Sequence, residues 1–299
     1  MKDTVTQIPT YEDMLAAHER IKPYIHRTPV LTSSFLNELT GAELFFKCEN
    51  FQKAGAFKVR GASNAVFGLS DEMAARGVAT HSSGNHALSL SYAAGRRGIP
   101  CHVVMPRTAP QAKKDAVRGY GGIITECEPS TTSREAVFAQ VQAETGAEFV
   151  HPYNDPRVIA GQGTVALEML RQHPGPLDAI FVPVGGGGLL AGIAAYVKYL
   201  RPEVKVIGVE SEGSACFAAA RKAGRRVRLP FESLDLFADG VAVAQMGSHT
   251  WKLARRWVDD VVTVSTDEIC AAIKDVFEDT RSLAEPAGAL ALAGLKKWA

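Results

Sequence analysis

Short apolar runs alternate with longer stretches of helical periodicity along most of the chain. Val78–His81 is a brief apolar run ending in Ser-Ser-Gly, and Ala87–Arg97 follows with helical spacing. Cys101–Met105 reads as a strand, and Pro110–Arg118 as a helix with proline near its start. Ile123–Cys127 is a strand and Ser133–Glu144 a helix. The later half keeps the rhythm: strand Ala179–Val184 then helix Leu189–Leu200, strand Val204–Glu210 then helix Ser214–Ala223, strand Val261–Val264 then helix Asp267–Thr280. Strands alternating with helices predict parallel sheets covered by helices, an α/β protein whose ligands bind beyond the carboxyl ends of the strands. Proline and asparagine in Glu148–Asn154 mark a break near residue 150. No short repeat and no low-complexity segment interrupts the pattern.

Composition changes this picture little. The 299 residues suffice for a large core and two lobes. With 46% apolar and 22% charged residues the chain has ordinary globular composition. Lys+Arg numbers 33 and Asp+Glu 32, so a net charge of +1 argues against nucleic acid or an acidic membrane as partner. The basic cluster Arg221–Arg226 reads as a solvated helix end. No apolar run reaches the roughly 18–20 residues of a membrane helix, and the polar start MKDTVTQIPTYEDM has no apolar signal region. Cys48, Cys101, Cys127, Cys216 and Cys270 form no CxxC or metal-knuckle spacing. A reduced, cytoplasmic protein with buried thiols is expected. The eight histidines are scattered and show no metal cluster.

Three segments carry candidate chemistry. In FQKAGAFKVRGA, Lys58 sits between Phe57 and Val59 at the mouth of a helical pattern. An amine in such a setting can lose its proton and become a nucleophile. In FVPVGGGGLLAG, an apolar strand runs through Gly185, Gly186, Gly187 and Gly188 into a helix. A bare strand–helix turn needs one or two glycines; four let backbone N–H groups close on a phosphate at the helix N-terminus. No Gly-Lys-Ser/Thr follows, so this is not a P-loop. In HSSGNHA, Ser82, Ser83, Asn85 and His86 open another helix and could either cap it or hold a carboxylate. A nucleophilic lysine, a phosphate cradle and an anion-binding turn together suit pyridoxal phosphate (PLP) and an amino-acid substrate.

These segments, with IAGQGT (Ile159–Thr164) and EPAGALALAGL (Glu285–Leu295), resemble the fold-type II PLP enzymes, in the branch of serine/threonine dehydratases and serine racemase. The N-terminal half looks more like serine racemase. From about Ala179 the chain looks like the catalytic domain of biosynthetic threonine dehydratase, as a chimaeric, designed or intermediate sequence would. The resemblance implies a large PLP-binding domain of residues 1–70 and 151–299, a small mobile domain of 71–150, and a homodimer. It implies that Lys58 carries the cofactor and takes the substrate's α-proton. By the same resemblance Phe57 stacks near the cofactor ring, Asn85 bonds its hydroxyl, and Gly185–Gly188 hold its phosphate. Ser82, Ser83, Asn85 and His86 would surround the substrate carboxylate. Ser83 is also the candidate proton donor on the face opposite Lys58, which racemisation needs. The implied activity is an ammonia-lyase turning L-threonine or L-serine into a 2-oxo acid. Serine racemase and 3-hydroxyaspartate dehydratase are the alternatives, and a PLP-binding inactive relative the non-enzyme one. Arg134 could pair with an acidic substrate side chain, or stand at a surface helix start.

The sequence departs from the family pattern in four places. Leu88 and Arg281 stand where the racemase has a glutamine and a lysine, so nucleotide activation is not expected. A divalent or monovalent cation would rest on Glu210 and Ser214, but Cys216 replaces the family's aspartate and is a poor hard-cation ligand. No SGxN segment follows the EPAGA helix to face the pyridine nitrogen, which would leave a sheet edge uncovered. No regulatory domain is seen, so isoleucine control is not expected.

Overall fold

The computed structural model describes residues 8–299; the first seven, half of the polar N-terminal stretch, lie outside the described residues. Among the described residues nine strands are arranged in three sheets. β1 (Val30–Leu31) and β2 (Phe46–Lys47) form an antiparallel pair. β3 (Val78–His81), β4 (Cys101–Pro106), β5 (Ile123–Cys127) and β6 (Glu148–Phe149) form a parallel sheet in the order β5-β4-β3-β6. β7 (Ala179–Pro183), β8 (Lys205–Ser211) and β9 (Asp260–Val264) form a second parallel sheet in the order β7-β8-β9. The α/β reading therefore holds; β3, β4, β5, β7, β8 and β9 fall within one residue of their expected bounds, whereas the two-residue strands β1, β2 and β6 were not expected.

The elements form for local reasons. β7 and β8 carry apolar residues on both faces, as parallel strands covered by helices must. Ser265 caps the helix Thr266–Thr280 through a reciprocal box with Glu268, and left-handed Gly98, Gly146 and Gly224 end three others. One apolar core lies around the helix Gly188–Leu200, with Leu190, Ile193 and Val197 packed on Val182, Val206 and Phe217. A second, with Leu90, Val103 and Met105, lies under the four-stranded sheet.

Three details differ from expectation. Glu148 and Phe149 pair with Val78 and Ala79 as β6, so the Glu148–Asn154 segment opens as strand. The backbone amides of Glu148 and Val150 complete that sheet edge by bonding Gly77 and Ala79. The helix Pro156–Gln172 runs through IAGQGT, to which the sequence pattern assigned no element, and it is buried from Val158 to Glu168. Ser214 belongs to a 3₁₀ turn, Glu212–Ser214, and the helix starts at Cys216. Among the described residues no helix is long and apolar enough to cross a membrane.

Candidate active site

Lys58 is delivered by a tight approach. Two 3₁₀ turns, Glu49–Phe51 and Lys53–Gly55, precede it, with Ala54 and Gly55 at positive φ of 56° and 72°. The chain then enters the helix Lys58–Phe67 with Lys58 as its first residue. Its Nζ donates to the Pro152 carbonyl at 3.0 Å and lies 5.4 Å from the centre of the Phe57 ring. No carboxylate forms an ion pair with it among the described residues. Burial pushes the amine down to about 8, opposed in part by the nearby charge of Glu285.

The glycines form the turn between β7 and the helix Gly188–Leu200. Gly187 has φ +89° and leads the helix without a side-chain cap. None of the four amide N–H groups donates to another protein group among the described residues. The turn has no room for side chains: a Cβ on Gly186 would overlap the Tyr153 ring, and one on Gly187 would overlap Met246. Thr250 Oγ1 donates to the Gly186 carbonyl at 2.7 Å and holds the turn from behind.

The turn Ser82–Gly84 leads from β3 into the helix Asn85–Arg97. Ser82 Oγ accepts from the Gly84 amide at 3.3 Å. The Ser83 hydroxyl makes no hydrogen bond among the described residues and is half-buried. Asn85 Nδ2 donates to Glu285 Oε1 at 2.8 Å. His86 is buried with its Nε2 2.9 Å from the Val150 carbonyl, and burial with Lys58 nearby lowers it to about 3. The ring is thus neutral: Nε2 carries the proton toward the carbonyl and Nδ1 is left as a lone pair without a partner. Only the backbone amide of His86 could donate to a carboxylate.

Phe57, Lys58, Ser82–His86 and Gly185–Gly188 line one cleft of about 1670 Å³, between the carboxyl ends of the two parallel sheets. Arg134 lines it too, half-buried, with no ion pair and with Nε buried and unpartnered among the described residues. Glu210 and Ser214 stand elsewhere, behind the glycine turn. Both Glu210 carboxylate oxygens accept helix amides, from Phe217 and Ala218 at 2.8 Å each, and Ser214 Oγ donates to the Asp235 carbonyl at 3.0 Å. Burial raises the Glu210 carboxyl to about 7. No group of three or more metal-ligating side chains occurs among the described residues.

Sequence reasoning left Glu285, Tyr153 and Asn154 without roles. Asn154 Oδ1 accepts from the His249 amide at 2.8 Å and its Nδ2 donates to Ser248 Oγ at 3.2 Å, tying the segment beneath the glycines to the helix Ser248–Trp257. Their only signal was position, in HPYN and at the head of EPAGA.

The family model of pyridoxal-phosphate dependent enzymes matches residues 21–299. The chain belongs to that family. It is 59% identical to the β-hydroxyaspartate dehydratase of Paracoccus denitrificans, over 97% of this chain and 91% of that protein. It is 48% identical to the biosynthetic L-threonine dehydratase of Burkholderia multivorans, over 95% of this chain and 58% of that longer protein. Among solved structures, maize serine racemase superposes with a TM-score of 0.94 at 45% identity, covering 97% of this chain and 87% of the racemase. This member of the pyridoxal-phosphate dependent family has residues that fit the cofactor. The four unused glycine amides at a helix N-terminus suit a phosphate, and the unpaired, lowered Lys58 amine suits an aldehyde.

Proposed function

We propose that this PLP-dependent enzyme removes water from a small β-hydroxy amino acid and yields a 2-oxo acid and ammonia. Bound PLP supplies the electron sink that makes the substrate's α-proton removable. Lys58 is the group that takes that proton: burial lowers its amine to about 8, so a far larger share is neutral near physiological pH than for an exposed lysine. Gly185–Gly188 would hold the phosphate by their amides, Asn85 would orient the ring, and Phe57 would cover it. The amides at the head of the helix Asn85–Arg97, with the hydroxyls of Ser82 and Ser83, would receive the α-carboxylate.

Serine, threonine and 3-hydroxyaspartate all fit this chemistry. One observation favours 3-hydroxyaspartate: the unpaired Arg134 guanidinium, in the first turn of the helix Thr131–Thr145, lines the cleft with its Nε buried. A guanidinium without a protein partner matches a second carboxylate. The similarity to the Paracoccus dehydratase points the same way. Racemisation is a second reading, supported by the free Ser83 hydroxyl in the cleft and by the likeness to maize serine racemase. The two-domain division at residues 71–150, a homodimer and a cytoplasmic setting belong to the same proposal.

The test is an assay of 2-oxo acid and of substrate enantiomers with serine, threonine and 3-hydroxyaspartate. 3-Hydroxyaspartate should be turned over with the highest kcat/KM, and Arg134→Ala should remove most of that preference, about 10–100-fold for a lost charged hydrogen bond. Lys58→Ala should abolish turnover. Serine or threonine as best substrate would sink the dicarboxylate reading, and interconverted enantiomers without 2-oxo acid would establish the racemase.

A further inference from the structure

Arg60 lies two residues beyond Lys58, about 200° further round the helix at 3.6 residues per turn, so it faces away from the cleft. Its side chain is fully buried, at 0% exposure. Its guanidinium is forked twice. Nε and Nη2 donate to the two oxygens of Glu49 at 2.7 and 2.8 Å. Nη1 and Nη2 donate to the two oxygens of Glu168 at 2.8 and 2.9 Å. Nη1 also reaches Thr164 Oγ1 at 3.3 Å, which occupies all five donors. Lys47 on β2 joins from the other side of Glu168 at 2.6 Å and also donates to Gln172 Oε1 and the Thr28 carbonyl. Two cations and two carboxylates cancel.

The cluster ties together β2, the 3₁₀ turn Glu49–Phe51, the helix of Lys58 and the helix Pro156–Gln172. Where those two helices cross, a Cβ on Gly161 would lie 2.6 Å from the Cα of Gly61, and the Gly61 amide donates to Gln162 Oε1 at 3.2 Å. Stability is a poor reason for such a cluster. Buried ion pairs seldom outdo apolar packing of the same volume, because desolvation offsets their attraction. What forks give and apolar contact does not is direction: they resist sliding and rotation of the helix.

We propose that Arg60 is a positioning residue that fixes the rotation of its helix and thereby the placement of the Lys58 amine in the cleft. The inference rests on Lys58 as the cofactor-bearing base. Failure of that base would show separately, as a Lys58→Ala chain that still traps PLP at the site.

The test compares the 299-residue chain with Arg60→Lys, which keeps the charge and loses both forks, and Glu49→Gln, which weakens one. Three quantities are read: the melting temperature, the rate at which the cofactor-free chain traps PLP on Lys58 under borohydride with peptide mass analysis, and kcat and KM per cofactor-loaded chain on the best substrate. A displacement of about 1 Å costs about 100-fold in rate. Arg60→Lys should therefore lose about 100-fold in kcat with KM within about 3-fold, and Glu49→Gln about 10-fold, with slower trapping in both. Trapping and kcat per loaded chain within 2-fold of the parent, whatever the melting temperature, would overturn the proposal. Should Arg60→Lys fail to fold, Glu49→Gln decides alone on the same readings.

Discussion

Asn85 and Glu285 meet across the cleft, amide to carboxylate at 2.8 Å, though 200 residues separate them in sequence. Glu285 is partly desolvated, and burial raises its carboxyl above the usual range. It also acts on Lys58, whose amine its charge draws upward against burial. Glu285→Gln keeps an oxygen for Asn85 and removes the charge. The Lys58 amine should then fall below 8, so PLP trapping by the cofactor-free chain should reach half its plateau at lower pH than in the parent. An unchanged or higher midpoint would show that the Glu285 charge does not reach the amine.

The glycine turn packs against an aromatic ring. Gly186→Ala drives a methyl into Tyr153, and overpacking of this kind costs about 1–3 kcal/mol. PLP affinity should drop with it. Adding Tyr153→Ala makes room, so the double variant should recover cofactor affinity relative to Gly186→Ala alone. A strictly additive pair in a double-mutant cycle of PLP binding would contradict direct contact.

Lys113 on the helix Gln111–Gly119 bonds Asp239 at 2.8 Å and so bridges the proposed small unit to the rest. Both side chains are well exposed, 44% and 60%, and such pairs contribute about 0–1 kcal/mol. Lys113→Ala should leave unfolding by urea within about 1 kcal/mol of the parent. Its effect should appear instead as faster limited proteolysis within residues 71–150. A large stability loss would mean that the bridge holds more than these two residues.

Glu210 titrates in an unusual place. Burial lifts its folded value to about 7 against an ordinary 4.5, although two helix amides favour the ionised form. A raised acid contributes stability that is complete below about 4.5 and lost as pH rises through 7. The stability advantage of the parent over Glu210→Gln should therefore shrink from pH 4.5 to 7, seen as converging urea midpoints. Both carboxylate oxygens are engaged and Cys216 is a soft neighbour, so millimolar Mg²⁺ should not raise the melting temperature. A Mg²⁺-dependent rise that Glu210→Gln removes would establish a cation there.

Much of the fold was legible because parallel strands and their helices obey a period that the chain displays openly, as in Val78–His81 followed by Asn85–Arg97. The helix Pro156–Gln172 was not, since Gly161 and Gly163 interrupt its helical propensity in mid-segment. Lys58 and the glycines stood out by residue type and by resemblance. Arg134 did not reveal whether it faced solvent or cleft, because helical position alone does not say which side the neighbouring sheet covers. Glu285 was invisible as a site residue for a different reason: its partner comes from a remote segment, and no local pattern encodes such a meeting.

The crossing of Gly61 over Gly161 also carries a kinetic implication. These residues are about a hundred positions apart, and their contact closes a loop that contains the whole four-stranded sheet. Loop closure of that length is slow to be rewarded during folding. The cleft should therefore assemble late, with capture of PLP during refolding lagging behind the gain of helical signal, which would make the cofactor a clock for the final docking of the chain's two halves.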